Sequence, residues 1–227
     1  MAETVGNIRE RVALPLIVDG DNGFGNALNV QRTVRLLEKM GASAIQLEDQ
    51  TLPKRCGHLD GKTLVSTGEM LGKLKAAQDA RANTATVIVA RTDAIAVDGF
   101  EAGMERAHAY AEAGADVLFI EALRTLDQFE RAGRELGGRV PLLANMVEGG
   151  KTPLLSIGEL GALGFRLAIH PGAMLRVVGH AATSYLATLQ SDGTTRDMLD
   201  RMFDFQRLND VIGTDGMLQI GERYRDL

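Results

Sequence analysis

Residues 38–49 read EKMGASAIQLED, and this stretch decides the fold because its plan occurs twice more along the chain. An apparent helix runs into a glycine, and a short apolar run then ends on a polar residue. The same order recurs in AEAGADVLFIEA (111–122) and GALGFRLAIHP (161–171). A glycine just past a helix supplies the left-handed conformation that ends it, and a continuous apolar run is typical of a parallel strand buried on both faces. Each stretch therefore predicts a helix followed by a parallel strand.

Three further apolar runs continue the pattern, namely VALPLIVDGD (12–21), TVIVART (86–92) and VPLLANM (140–146). Between the runs, residues 29–40 and 126–137 carry apolar side chains at the spacing of one helix face. Six strands that alternate with helices predict an α/β fold with a parallel sheet.

Polar residues stand near the carboxyl ends of five of these runs: Asp19 and Asp21, Glu48 and Asp49, Arg91 and Asp93, Glu121, and Asn145. Such groups are costly as structure but are expected of a barrel active site. A doubly wound sheet would gather its ligand groups at one switch point. Because the polar groups here are spread over successive strands, we predict a (β/α)8 TIM-type barrel.

The strand count and the loop lengths qualify this prediction. A closed barrel of this type has eight strands, whereas about six are visible, so we expect an N-terminally incomplete barrel whose missing units precede Met1. We expect one partial barrel domain over residues 1–227, with C-terminal helices over 173–227. The long polar loop 50–66 is typical of an active-site lid, although a passive insertion has the same composition.

Composition excludes several classes of function. The chain has 227 residues, a net charge of −5 and 4% aromatic residues, which disfavours nucleic acid as a partner. No apolar run approaches the roughly 18 residues of a membrane span, and the N-terminus does not resemble a signal peptide. A single cysteine fits a reducing compartment. We therefore expect a cytoplasmic protein that contacts neither nucleic acid nor membrane.

Three acidic residues form a candidate metal site. Asp19, Asp21 and Glu48 follow adjacent predicted strands, so they are expected to converge. Carboxylates held so close repel one another unless a cation or protons neutralise them. An all-oxygen set suits Mg²⁺, with Mn²⁺ as the alternative cofactor. The competing interpretation is three solvated acids at the starts of loops.

The only cysteine lies in EDQTLPKRCGHLDGK (48–62), where its neighbours are cationic or can become so. Lys54, Arg55 and His58 would lower the pKa of the Cys56 thiol and make its proton easier to exchange. Cys56 is therefore the candidate catalytic residue, against the alternative of an inert thiol.

Arg91 is the main candidate for binding a substrate. It ends a buried strand, where an unpaired guanidinium would be costly. A bidentate clamp on a substrate carboxylate explains its position, and a structural salt bridge to Asp93 or Glu121 is the alternative. Glu121 and Asn145 are further candidates for the lining of the site.

Four motifs in this order resemble the isocitrate lyase/phosphoenolpyruvate mutase superfamily: DGDNGFGN (19–26), LEDQ…PKRCGHLDGK (47–62), ARTDA (90–94) and LLANMVEGGKTP (142–153). Within it, the methylisocitrate lyases, dimethylmalate lyases and carboxyphosphonoenolpyruvate phosphonomutases are the most similar groups. The resemblance implies an eight-stranded barrel, of which this chain lacks the first two strand–helix units. It also implies a homo-oligomer, a tetramer or dimer, in which the last helix is exchanged between subunits.

The resemblance implies a role for each candidate residue. Asp19, Asp21 and Glu48 would bind the metal mostly through water, and Cys56 would act as a general acid that protonates a carbon. The substrate-binding residues would be Arg91, His58, Gly57, Lys54, Glu121 and Asn145.

We therefore expect a Mg²⁺-dependent lyase that cleaves a carbon–carbon bond of a small anionic substrate. This 2-hydroxy di- or tricarboxylate would yield pyruvate or glyoxylate plus a carboxylic acid. The first alternative is carboxyphosphonoenolpyruvate phosphonomutase chemistry, and decarboxylation or hydrolysis of oxaloacetate is another. The alternative of a different class is a truncated, non-catalytic relative.

Overall fold

Alternating strands and helices make up the first part of the chain, and helices alone the second. The computed structural model describes residues 1–55 and 61–225. The chain divides into two units, Met1–Gly172 and Ala173–Leu227. The strands are β1 (Ile17–Asp19), β2 (Ala44–Glu48), β3 (Val87–Thr92), β4 (Val117–Ile120), β5 (Leu142–Asn145) and β6 (Phe165–Ile169). The helices of the first unit are α1 (Ala2–Arg9), α2 (Ala27–Lys39), α3 (Thr67–Ala80), α4 (Ala94–Asp98), α5 (Phe100–Glu112), α6 (Leu126–Leu136) and α7 (Ile157–Ala162).

The six strands form one parallel sheet in the order β1-β2-β3-β4-β5-β6. Sequential strands are neighbours, as right-handed strand–helix–strand units produce. The sheet curls as a half-barrel with helices, consistent with a TIM-type fold. The predicted α/β class and the six-strand partial barrel are therefore confirmed.

The glycines of the repeated plan adopt the conformation that the plan requires. Gly41, Gly114 and Gly164 follow α2, α5 and α7 with φ of 96°, 84° and 91°. Side chains other than glycine rarely tolerate this region, so the chain can leave the helix and enter the next strand at the same point of each repeat.

The central strands of the sheet are buried on both faces. β2 is buried at all five of its residues, as the continuous apolar runs predict. On the outer face, the strands and helices share one large core that includes Ile45, Leu118 and Leu142. On the inner face, a smaller cluster contains Val89, Phe119 and Leu143, among other apolar residues. Alternate residues of each strand therefore point either toward the helices or toward the inside of the half-barrel.

The loop after β2 is paired at its base. The Thr51 N–H donates to Thr63 O at 2.9 Å, and the Val65 N–H donates to Asp49 O at 2.9 Å, on either side of an antiparallel bridge between Gln50 and Leu64. The described ends of the loop therefore leave and return side by side. Its action as a lid stays a prediction.

The second unit is helical in the described residues. It contains α8 (Ala173–Asp192), a 3₁₀ helix (Arg196–Arg201), α9 (Phe205–Ile212) and α10 (Thr214–Glu222). Within this unit α8, α9 and α10 contain no buried residue, and large apolar side chains such as Leu175 and Phe205 are exposed. Across the described residues, none of the helices combines the length and the apolarity that crossing a bilayer requires.

A carboxylate near the end of α2 secures the loop before β3. Glu38 accepts hydrogen bonds from the backbone N–H groups of Ala82 and Asn83 at 2.7 and 2.9 Å, and from the Thr86 hydroxyl at 2.7 Å. Burial alone would raise the pKa of Glu38, but these hydrogen bonds, together with the charge of Arg81, lower it below its ordinary value of 4.5.

We expect Glu38→Gln to destabilise the fold by about 1–2 kcal/mol at pH 7, because an amide cannot accept all three hydrogen bonds. A lowered carboxyl pKa stabilises the fold fully above the unfolded value, and this stabilisation is lost as pH falls through the folded pKa. The difference from wild type should therefore shrink below about pH 4.5. Urea unfolding at pH 7 and pH 3.5, with the exposed Glu130→Gln as control, measures it; equal losses for both variants would contradict the role given to Glu38.

Candidate active site

Five of the predicted site residues lie together at the carboxyl ends of β1 to β5. Asp19 ends β1, and the register sets Glu48 at the end of β2 directly beside Arg91 of β3. Glu121 follows β4 at once, and Asn145 ends β5. Side chains at every second position of a strand point to the same face of the sheet. Counted in this way from the apolar residues of the inner cluster, all five side chains point to the inner side of the half-barrel.

The Glu48 side chain is fully buried, and within the described part of the chain its carboxyl group lacks the hydrogen bonds that a buried carboxylate normally accepts. Neither of its carboxyl oxygens has a hydrogen-bond partner among the described residues. Its cationic neighbours are Arg91, whose Nη1 lies 3.3 Å from Oε2, and Lys54, whose Nζ lies 4.0 Å from Oε1. Burial raises the pKa of Glu48 to about 7; Arg91 and Lys54 oppose the rise, and the charges of Asp93 and Asp19 add to it. Two buried acceptor oxygens without donors leave room for a further cationic group.

The turn after β1 presents the two aspartates to Glu48. The Glu48 N–H donates to Asp21 O at 2.8 Å, and the Asp21 N–H donates to Asp19 Oδ1 at 3.0 Å. Asp21 has a φ of 48°, a left-handed conformation that aspartate adopts more readily than most residues. The turn is therefore attached to the end of β2 by its backbone, and its carboxylates cannot move far from Glu48.

The Lys54 ammonium group stands among these three carboxylates. It forms an ion pair with Asp21. Burial would lower the pKa of Lys54, but the hydrogen bond to Asp21 and the charges of Glu48, Asp19 and Asp21 raise it above the ordinary value. The structure therefore brings Asp19, Asp21 and Glu48 around one cation of the chain itself.

Direct metal ligation is not preformed in the described part of the chain. No three His, Cys, Asp or Glu side chains there are close enough to hold an ion between them. The residues nevertheless fit a magnesium ion that is held partly through water, because Glu48 has two acceptor oxygens without donors among the described residues and the three candidate ligands are all carboxylates. The metal role of the three acids stays a prediction.

The Arg91 guanidinium is held on several sides. It donates from Nε to Asp93 Oδ2 at 2.9 Å and from Nη2 to Asp93 Oδ1 at 3.1 Å, and it lies over the Phe119 ring at 5.1 Å. Burial would lower the pKa of Arg91, but the charges of Asp93, Glu121 and Glu48 raise it. The salt bridge to Asp93, which the sequence left open as the alternative, is present. The substrate clamp stays a prediction.

Lys62 was not assigned a role from the sequence. The Lys62 ammonium is buried, with 2% of its side chain exposed, and lies 3.4 Å from Asp93 Oδ1. From the sequence, Asp93 was a polar residue at a strand end and a possible salt-bridge partner of Arg91, but not a partner of Lys62. The positive charge in the GK pair at 61–62 was the available signal, but a lysine that follows a glycine in a polar loop is usually solvated.

Asp49 faces the helices and not the site. Its carboxylate accepts hydrogen bonds from the Thr92 hydroxyl at 2.7 Å, the Asp93 N–H at 2.9 Å, Arg106 at 3.1 Å and the Tyr110 hydroxyl at 2.8 Å. Burial first, and the charge of Asp49 next, raise the pKa of Tyr110 well above its ordinary value. The two neighbouring acids of the LEDQ motif therefore serve opposite faces of the sheet, because successive strand residues alternate.

The loops around the site are attached to one another by buried polar groups. The buried Lys73 donates to Asn22 O at 3.2 Å, and the Asn22 side chain donates to Gln50 O at 3.2 Å. The Gln50 side chain both donates to Arg55 O and accepts from the Arg55 N–H, each at 3.0 Å. These contacts fix the described part of the loop after β2 as far as Arg55.

Some of the remaining candidate residues lie within the described part of the chain and others do not. Cys56, Gly57 and His58 lie outside the described residues. Asn145 donates to Glu121 Oε2 at 3.0 Å, so this pair lines the inner face together.

The chain is similar in sequence to known proteins. The sequence profile of the phosphoenolpyruvate phosphomutase family matches residues 1–190. A 2,3-dimethylmalate lyase of Eubacterium barkeri is 44% identical over 224 residues, which cover 99% of this chain and 77% of that protein. A 2-methylisocitrate lyase of Aeropyrum pernix is 46% identical over 202 residues, covering 89% and 64%. A carboxyvinyl-carboxyphosphonate phosphorylmutase of Arabidopsis thaliana is 40% identical over 217 residues, covering 94% and 63%.

The fold of this chain is also similar to solved structures of proteins with related names. A crystal structure of 2,3-dimethylmalate lyase superposes with a TM-score of 0.91 at 35% identity, covering 99% of this chain and 75% of that one. A phosphonopyruvate hydrolase in complex with oxalate and Mg²⁺ has a TM-score of 0.86 at 33% identity, covering 98% and 77%. This chain thus spans about two thirds to three quarters of the proteins it matches.

Loss of the Tyr110 hydroxyl tests the Asp49 network. We expect Tyr110→Phe to lower the free energy of unfolding by about 1–2 kcal/mol, because a buried carboxylate loses one of its donors. Denaturant unfolding measures the change, and Tyr224→Phe, at a tyrosine that is 69% exposed, is the matched control. A loss no larger than that of the control would show that the network adds nothing to stability.

Proposed function

Since the chain belongs to the phosphoenolpyruvate phosphomutase family, within the isocitrate lyase/phosphoenolpyruvate mutase superfamily, we propose that it is a carbon–carbon lyase. Its substrate is a 2-hydroxy di- or tricarboxylate similar to dimethylmalate or methylisocitrate. Its products are pyruvate or glyoxylate and a carboxylic acid. The names of the relatives support lyase or mutase chemistry in general, and the substrate class is our inference.

One observation carries the proposal, namely the charge balance at the inner face. The described acids there outnumber the described cations by two when all are ionised: Asp19, Asp21, Glu48, Asp93 and Glu121 face Lys54, Lys62 and Arg91. A divalent cation would neutralise that excess, and it would relieve the buried Glu48 carboxylate. A site that holds a cation beside a fixed guanidinium suits a ligand with two carboxylates.

Mg²⁺ is the proposed cofactor, with Mn²⁺ as the alternative, and Asp19, Asp21 and Glu48 would hold it. When bound, it supplies Lewis-acid stabilisation of the oxo acid that forms. Arg91 would bind the distal carboxylate of the substrate, and Lys54, Glu121, Asn145, Gly57 and His58 would complete the site.

Cys56 is the proposed general acid. The substrate hydroxyl gives its proton to solvent before the loop closes, the adjacent carbon–carbon bond breaks to leave the oxo acid, and the bonding electrons pass to the carbon beside the departing carboxylate. The Cys56 thiol then gives its proton to that carbon. The loop around Cys56 would shut out water during this step.

Oligomer formation is part of the proposal. The helices of Ala173–Leu227 expose many large apolar side chains, among them Leu175, Phe205 and Leu218. Apolar surfaces of this extent are typical of protein interfaces. Together with the family resemblance, this supports a homo-oligomer, a dimer or tetramer.

Phosphonomutase chemistry is the second candidate, favoured by the family profile itself and by the 40% identity with the plant phosphorylmutase. Phosphorus NMR on carboxyphosphonoenolpyruvate separates the two, because only a mutase forms a new phosphorus–carbon bond.

The substrate panel tests the main proposal. We expect Mg²⁺-dependent release of pyruvate or glyoxylate from dimethylmalate, methylisocitrate or isocitrate. A coupled dehydrogenase assay measures this release. Cys56→Ser should lower kcat on the confirmed substrate by at least about a hundredfold, because a hydroxyl is a far weaker acid. A serine variant with wild-type turnover would rule out Cys56 as the acid, and phosphonate formation without any cleavage would favour the mutase.

Lys54 offers a test of the metal site. We expect Lys54→Met to bind Mg²⁺ roughly tenfold more tightly, because a positive charge leaves the carboxylates that would hold the ion. Isothermal titration calorimetry measures the affinity. The control is Lys75→Met, at an exposed lysine of α3 that pairs with Asp79. Weaker binding in Lys54→Met, or equal changes in both variants, would contradict a metal site at Asp19, Asp21 and Glu48.

A further inference from the structure

Asp93 occupies a position where an aspartate normally caps a helix. It is the N-cap residue of α4, yet its side chain makes no capping hydrogen bond. Both carboxyl oxygens face Arg91 instead, at 2.9 and 3.1 Å, and the carboxylate is fully buried. An N-cap hydrogen bond is worth roughly 1 kcal/mol to a helix. The Asp93 carboxylate therefore accepts hydrogen bonds from the guanidinium, and α4 lacks the capping hydrogen bond that this side chain could have made.

Lys62 supports Asp93 from the loop after β2. Its buried ammonium lies 3.4 Å from Asp93 Oδ1. A buried lysine is costly unless it is paired with an anion. Its neighbour Thr63 accepts from the Thr51 N–H at 2.9 Å, so the backbone beside Lys62 is attached to the segment that leaves β2. The position of this ammonium is thus set by the base of the loop.

These contacts determine how Arg91 can meet a ligand. Asp93 takes the edge of the guanidinium that carries Nε and Nη2. Glu48 lies at 3.3 Å from Nη1, and the Phe119 ring lies against one planar face. A planar carboxylate that binds two N–H groups together must therefore use the edge formed by Nη1 and Nη2. The direction of that edge is set by Asp93.

We propose that Asp93, held by Lys62, is the positioning residue that fixes the orientation of Arg91 for a ligand carboxylate. The identity of the ligand rests on the proposed function, whereas the orientation of Arg91 does not. Neither Asp93 nor Lys62 needs to touch the substrate. A guanidinium released from Asp93 would turn toward Glu48 or Glu121, whose charges also act on it.

The orientation is measured directly by NMR of the arginine side chain. The Nε–H signal of Arg91 in ¹⁵N-labelled protein is assigned by its loss in Arg91→Lys. We expect hydrogen exchange of this group to accelerate roughly tenfold or more in Asp93→Asn, because the hydrogen bond that protects it is lost. Asp93→Glu should recover part of the protection. Asp98→Asn, at the exposed end of the same helix α4, should change nothing.

The ligand arm of the experiment uses succinate, a dicarboxylate that the enzyme cannot cleave, titrated in the presence of Mg²⁺ while the same signal is followed. We expect Asp93→Asn to weaken succinate binding by roughly ten- to a hundredfold, the size of effect seen when a supporting residue of a site is removed. Should Asp93→Asn fail to fold, Lys62→Met takes its place, with an acceleration and a loss of affinity in the same directions.

The outcomes are distinct. Unchanged exchange of Arg91 Nε–H in both variants overturns the positioning role, whatever binds. Faster exchange with unchanged succinate affinity overturns it as well, because the orientation then does not matter to the ligand. If wild type shows protected exchange that the variants lose but does not bind succinate, the proposed ligand class fails while the orienting pair stands.

Discussion

The register between β2 and β3 places Glu48 beside Arg91 at the buried end of the sheet, and the site depends on this pairing. A guanidinium at that depth requires anions around it, because water cannot solvate it there. Asp93 accepts two hydrogen bonds, a Glu48 oxygen lies at 3.3 Å and Glu121 adds a further negative charge. Lys62 and Lys54 then balance part of the negative charge that these acids introduce. The charges on the inner face are therefore coupled, so that a change in one of them alters the pKa values of its neighbours.

The Glu48–Asp49 pair shows how a strand separates structure from chemistry. The two carboxylates are adjacent in the chain, yet Glu48 faces the inside of the half-barrel and Asp49 faces α5. Asp49 receives four hydrogen bonds from β3, α5 and the residue that follows β3, so its charge is satisfied. Glu48 has none from the described residues. The outer carboxylate stabilises the frame, and the inner one remains available for a cation.

The elements of the fold were predictable because their signals are local. The helices predicted at 29–40 and 126–137 are Ala27–Lys39 and Leu126–Leu136 in the structure. The first helix begins two residues earlier than predicted because Asn26 caps it, whereas the second begins at the predicted residue, after the Thr125 cap. The gathering of Asp19, Glu48, Arg91, Glu121 and Asn145 was also predictable, since parallel strands bring their carboxyl ends to one edge. Lys62 was missed because nothing near it in the chain indicates that it is buried.

By itself, the sequence determined the α/β class, the six parallel strands and the family, because apolar periodicity, glycine positions and ordered motifs are properties of neighbouring residues. It also determined which residues stand at the strand ends. Only the tertiary structure decided which partner each charge has: Asp93 for Arg91, Lys62 for Asp93, Tyr110 for Asp49 and Lys54 for Asp21. The physical reason is distance. Asp49 and Tyr110 are 61 residues apart in the chain and 2.8 Å apart in space. The energy of a buried charge depends on its distance to partners in space and on its burial, and not on separation along the chain.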